Sequence, residues 1–189
     1  MIKAEKELYL PTRHYFEKQG FSVDGEVKNC DLVAIKNDIV VVAELKKTFN
    51  ISLVYQLMER KNITPYVYAV IFRPKNFRDK KTKQMLKLAK LLGVGLLVVS
   101  DASGIIEEIV APNNDISNIK VNTKKRNIVS KEFNKREFRE NTGGVNRKKI
   151  LTAYRENSIA ALCVADTYSV VETRKVKDNI KKAVQSNYY

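Results

Sequence analysis

The sequence predicts an α/β domain, a mixed sheet with helices on its faces. Three observations carry this. Apolar runs of strand length recur between residues 21 and 110. The first of them follow one another across short polar turns, as in a meander. The later ones are separated by stretches with helical periodicity, which links parallel strands through helices.

Taken in order, Glu5 to Gln19 reads as a helix with Leu8, Tyr15 and Phe16 on its buried face and Gly20 as terminator. Pro11 must sit near its start or break it. Phe21 to Val27 reads as a strand. Cys30 to Lys46 reads as two apolar strands around the turn Asn37-Asp38. Thr48 to Arg60 is predicted as a second helix, with Ser52 as N-cap and Leu53, Leu57 and Met58 facing inward. Tyr66 to Phe72 is a short strand ended by Pro74. Asp79 to Leu92 is a basic amphipathic helix with Met85, Leu86, Leu88, Ala89 and Leu92 as its apolar set, closed by Gly93. Val94 to Val99 is a buried strand and Ile105 to Val110 an edge strand.

Residues 1–112 are therefore read as the core domain. Residues 113–145 are polar, basic and rich in Asn, with scattered apolar positions, and are read as a linker or arm with a short helix near Lys131–Glu140, ended by Gly143-Gly144. From Asn146 helical periodicity returns, with Ile150, Leu151, Tyr154, Ile159, Leu162 and Val164 in one long helix. Two more helices are expected at Ser169–Val176 and Asp178–Gln185. Three short helices in a basic segment, 146–189, suggest a helix-turn-helix or winged-helix module. A helical subdomain packed on the first domain fits the same pattern.

The net charge is +14. Residues 1–112 hold 18 Lys+Arg against 13 Asp+Glu, and residues 113–189 hold 17 against 8. The shorter part is the more basic. A polyanionic partner, nucleic acid, is the natural inference, because neutralising phosphates releases counterions. A solvated basic surface without a partner would carry the same charge. No run approaches the roughly 18–20 apolar residues of a membrane span, and MIKAEKELYL lacks a signal-peptide core. Cys30 and Cys163 lie far apart and are expected to be reduced thiols in a cytoplasmic protein. One histidine and two isolated cysteines argue against a zinc site.

The chemistry concentrates in Cys30 to Lys46. Asp31, Glu44 and Lys46 interrupt apolar strands, where a charge is costly unless it is paired or binds a metal. Glu44 and Lys46 share a face by strand alternation. With Asn37-Asp38 as a two-residue loop, Lys36 lies opposite Ile39, and the count back sets Asp31 opposite Glu44. A slip of one residue would separate them. Two adjacent carboxylates repel unless a cation or a shared proton intervenes, and an oxygen-seeking divalent ion meets that demand. Glu-x-Lys itself occurs three times, at 26/28, 44/46 and 59/61. The pair 59/61 falls on a helix, where such residues do not share a face. The pair 26/28 lies at a strand end beside a loop, where solvation is expected. On spacing alone, a salt-bridged strand edge explains Asp31, Glu44 and Lys46 as well as a metal does.

The run Asp31-Leu-Val-Ala-Ile, a short turn, then Val-Val-Val-Ala-Glu44-Leu-Lys46 resembles the PD-(D/E)XK phosphodiesterase superfamily, the restriction-endonuclease-like nucleases. More narrowly, the chain resembles a bacterial group with CDLVA and AELK-type motifs and a helical, winged-helix-like C-terminal part. The likeness covers residues 1–110 specifically and 146–189 loosely, and Cys30 stands where the superfamily name has proline. The resemblance implies a restriction-endonuclease-like fold and a metal-dependent nuclease, with DNA as the favoured substrate. It implies Mg²⁺ or Mn²⁺ on Asp31, Glu44 and the Leu45 carbonyl. It makes Lys46 the residue that orients water or stabilises developing charge. Glu7, with Glu5 as the alternative, and Gln56, ten residues after Lys46, complete the implied catalytic set. Arg60, and Arg73 with Lys75, are candidate phosphate contacts, each with a solvated charge as the alternative. His14 is expected to be structural. A homodimer would supply two sites for two strands. Two other functions stay open: a non-catalytic nucleic-acid-binding protein that retains the nuclease fold, and an RNA-directed nuclease of the same superfamily.

Overall fold

The computed structural model describes residues 4–100, 103–113, 121–145 and 149–168, with side chains through residue 165. Six strands form one sheet in the spatial order β1 to β6: β1 (Ser22–Val27), β2 (Cys30–Lys36), β3 (Ile39–Lys46), β4 (Tyr66–Phe72), β5 (Gly95–Val99) and β6 (Ile106–Val110). β1, β2 and β3 are antiparallel neighbours, β3, β4 and β5 run parallel, and β6 returns antiparallel. The chain is thus an α/β fold with the expected mixed sheet. Short loops make the meander, and helices α2 (Ile51–Arg60) and α3 (Lys80–Leu92) make the parallel crossovers.

Local chemistry explains the element ends. Before α1 (Tyr9–Glu17) comes a 3-10 turn, Glu5–Leu8, so the N-terminal helix is broken near its start. Pro11 falls in the first turn of α1, where its missing N–H costs nothing. Asn50, not Ser52, caps α2, its side-chain oxygen accepting from the Leu53 N–H at 2.9 Å. Asp79 caps α3, and Gly93 ends it in the left-handed region at φ 62°. The Asn37-Asp38 loop forms as expected, with Asn37 at φ 54°, a value asparagine tolerates. α4 (Thr123–Lys135) holds that loop through a hydrogen bond from Arg126 to the Asp38 carbonyl.

Both faces of the sheet are covered. One carries Leu8, Tyr9 and Phe16 against Leu32, Val41, Leu45 and Val70. The other carries α2 and α3 through Leu53, Leu57 and Ala89 against Val67, Ala69 and Leu96. Met58 and Leu88, expected inside, are exposed. The helix of the basic segment lies at 123–135, earlier than expected. Its Val129 and Phe133 are buried against Val27, Cys30, Val33 and Val42, so part of the segment read as a linker or arm packs on the sheet. Just beyond, Arg136 is buried, pairs with Asp24 at 2.9 Å and donates to the carbonyls of Gly25 and Glu26. α5 (Ala153–Tyr168) follows as one helix, but Tyr154, Ile159 and Leu162 lie on its exposed side. Its docking is polar: Glu156 accepts from the Glu137 and Phe138 N–H groups. The helices expected at Ser169–Val176 and Asp178–Gln185, and with them the winged-helix expectation, lie outside the described residues. Among the described residues no helix is long and apolar enough to cross a membrane. Cys30 is buried, Cys163 is exposed, and the two are not joined.

Candidate active site

β2 and β3 pair in the register counted from the turn, Lys36 opposite Ile39 through Leu32 opposite Ala43. One step further, Asp31 meets Glu44. The ladder ends there, and the Asp31 carboxylate takes over its role: Oδ2 accepts from the Leu45 N–H at 2.8 Å. The two carboxylates lie against each other. Glu44 is completely buried. Its Oε1 accepts from Arg60 Nε at 2.6 Å, its Oε2 meets no N–H donor among the described residues, and its carboxyl is in hydrogen-bonding contact with the Asp31 carboxylate, as two acids that share a proton are.

This geometry sets the electrostatics. Burial, and then the charge of Asp31, push the Glu44 carboxyl up to about 8 against the pull of Arg60. Burial also raises Asp31, opposed by the Leu45 N–H and the Lys46 charge. Two acids this close titrate as a pair. Lys46, half-buried, is held by Glu5, with Nζ 3.2 Å from Oε2.

Several expected residues fall elsewhere. Glu7 is exposed, and its carboxylate accepts from the Ala4 N–H at 3.0 Å, closing the first turn of its own 3-10 helix. Glu5, two residues earlier, is the acid that reaches the site. Arg60 is no phosphate contact. It is buried, ion-paired to Glu44 and bonded to the Asn29 carbonyl at 2.6 Å. The signal was present in the sequence, since Arg60 is three residues from Leu57 and seven from Leu53 and so lies on the buried face of α2. Gln56 sits one turn before Arg60, with its Oε1 buried and without a hydrogen-bond partner among the described residues. Arg73 pairs with Glu107, and Lys75 is exposed. His14 is exposed on α1.

Two features escaped sequence reasoning. Glu26, expected in solvent, is half-buried, adopts φ 52°, accepts from the Val145 N–H at 3.4 Å, and is raised by burial and by the nearby Asp31 charge. Gly143-Gly144 does more than end a segment. A Cβ on Gly143 would stand 2.1 Å from the Asp31 carbonyl oxygen, and one on Gly144 3.3 Å from the backbone of Glu5. The glycine pair lets a C-terminal strap lie against two site residues at once.

The site fits a divalent ion in part. Among the described residues no group of three or more His, Cys, Asp or Glu side chains forms a metal-holding set. Asp31 and Glu44 offer two carboxylates in contact with each other. That suits an ion such as Mg²⁺, which keeps several waters and uses one or two protein carboxylates with substrate phosphate.

Residues 96–189 match the model of a family described as "Putative PD-(D/E)XK phosphodiesterase (DUF2161)". The match, over just under half of the chain, supports the resemblance to the PD-(D/E)XK superfamily. No curated protein and no solved structure matches the chain. The family match begins in β5, after the Asp31–Lys46 hairpin, so match and motif are separate pieces of support on different parts of the chain. The match also includes Gly143-Gly144. That family is described as a phosphodiesterase family, and its superfamily generally uses divalent metals.

Proposed function

We propose that this protein is a metal-dependent nuclease that hydrolyses phosphodiester bonds, with DNA as the favoured substrate. The observation that carries the reading is the fully buried Glu44 carboxyl held in hydrogen-bonding contact with the Asp31 carboxylate. A structural salt bridge needs one acid for Arg60, whereas this arrangement holds a second acid against the first. Asp31, Glu44 and the Leu45 carbonyl would hold Mg²⁺ or Mn²⁺. When bound, the ion polarises the scissile phosphate and lowers the pKa of its water. The chain does the rest. Arg60 fixes the rotamer of Glu44. The Leu45 N–H fixes Asp31. Glu5 holds Lys46 beside the acids, where its ammonium stabilises charge developing on the phosphate. Gln56 orients the attacking water or the phosphate. The nucleic-acid substrate rests on the +14 charge, concentrated in the C-terminal part, and the preference for DNA on the superfamily resemblance.

The test is purified protein with Mg²⁺ or Mn²⁺ against linear, nicked, branched and single-stranded DNA and RNA. Cleavage is expected, with Glu44→Ala and Lys46→Ala each lowering the rate by at least about 10²-fold, the scale of one lost transition-state contact. Cleavage that survives both substitutions overturns the reading. The Arg60 ion pair supports one rival, a nucleic-acid-binding protein whose acids are locked by an internal cation. Tight Mn²⁺ binding that Asp31→Asn abolishes would exclude it.

A further inference from the structure

Beside Lys46 the molecule has a cleft of about 510 Å³ that the site above does not use. Its position follows from the sheet. Lys46 lies opposite Ile71 in the parallel β3–β4 pair. The chain therefore leaves both strands side by side, as Lys47-Thr48-Phe49 and Arg73-Pro74-Lys75, and the start of α3 closes the third side. Open α/β sheets place ligands outside the carboxyl ends of their strands, and this cleft occupies that place.

Its lining has two kinds of residue. Half-buried Phe49, Pro74 and Met85 are apolar, and Phe49 and Met85 are backed by the core under α2 and α3. Lys47, Lys75 and Lys81 are exposed cations. Lys47 and Lys75 make no hydrogen bond or ion pair to the described residues. Arg73 is committed elsewhere, paired with Glu107 and with its guanidinium 5.0 Å from the Phe77 ring centroid. Apolar walls with an aromatic ring, next to unpaired ammonium groups, suit one ligand chemistry: a base with its own phosphate. A duplex keeps its base faces stacked on one another and offers none of them to the Phe49 ring. Beyond the cleft, Lys80, Lys83, Lys87 and Lys90 continue the positive charge along one face of α3.

Resting on the nuclease reading, we propose that this cleft holds an unpaired nucleotide next to the scissile phosphate. The enzyme then acts on nucleic acid that is single-stranded on that side of the cut. Phe49 stacks the base, and Lys47, Lys75 and Lys81 hold the phosphates that follow.

Fluorescence anisotropy with a labelled single-stranded oligonucleotide and the matching blunt duplex, in EDTA, tests the proposal without cleavage. The single strand is expected to bind roughly tenfold more tightly than the duplex. Phe49→Ala should remove most of that advantage. Because Phe49 also packs on the core, the Lys75→Glu, Lys81→Glu double variant, altered only at exposed positions, should do the same. Mn²⁺ uptake by calorimetry should stay at the wild-type level in both. Equal affinity for both forms, or variants that bind the single strand like the wild type, overturns the assignment. Metal-dependent cleavage with wild-type single-strand binding in the variants ends the cleft proposal and keeps the nuclease. Loss of single-strand binding in the variants, with no Mn²⁺ uptake by any protein, keeps the cleft and ends the nuclease.

Discussion

The Glu44 carboxyl answers to two neighbours, the Arg60 cation and the Asp31 carboxylate, and this has a measurable consequence. The carboxyl is raised to about 8 in the fold against about 4.3 in the unfolded chain. The group therefore contributes stability in its protonated form. That contribution is full below the unfolded value and is lost as pH rises through about 8. The raised Asp31 acts in the same direction. In EDTA the melting temperature should be several degrees higher at mildly acidic pH than at mildly alkaline pH. Glu44→Gln, which keeps an acceptor for Arg60 and cannot ionise, should flatten that slope. Scanning calorimetry across the range checks both. Mn²⁺ affinity should rise over the same interval, because a bound ion must displace the proton. Cys30, at the position named for proline, takes no part: burial pushes its thiol up to about 12, so it packs as a small apolar residue.

At the scale of elements, the site depends on the β2–β3 hairpin and on the strap that crosses it. The hairpin register was legible because a two-residue loop and alternation of period two leave one solution with both faces buried. The strap was not. Gly143-Gly144 reads as a terminator in sequence, and only the fold reveals that the pair clears the backbones of Asp31 and Glu5. Gly143→Ala should therefore act at the site. The added methyl would force β2 and the strap apart, lowering stability by about 1–3 kcal/mol and weakening Mn²⁺ binding. Urea denaturation and calorimetric titration measure the two effects. Unchanged metal affinity would show that the strap does not position Asp31.

For the whole molecule, the joint between the sheet and the segment after residue 121 is polar at its centre. Arg136 reaches Asp24, Gly25, Glu26 and Glu132 from a position at most 3% exposed. Burial raises the Asp24 carboxyl, and Arg136 opposes that rise most. Arg136→Met should cost about 3–5 kcal/mol by leaving Asp24 charged and unpaired. Asp24→Leu combined with Arg136→Met should recover much of the loss, since no buried charge remains. Chemical denaturation of the three proteins decides the matter. The scattered Val129 and Phe133 concealed this joint from sequence reasoning, because two apolar residues four apart in a polar run carry little periodicity.

By itself the sequence determined the strand and helix order, the mixed sheet, the hairpin register and the pairing of Asp31 with Glu44. Each follows from short-range rules: turn length, alternation, capping and apolar periodicity. The tertiary structure decided which acid reaches Lys46, that Arg60 faces inward to Glu44, that Glu26 and the glycine strap border the site, and that a cleft opens beyond β3 and β4. These depend on elements far apart in the chain meeting at the ends of two strands. A charged side chain reads the same in sequence whether it ends in solvent or against a buried partner, and only the packed fold separates the two.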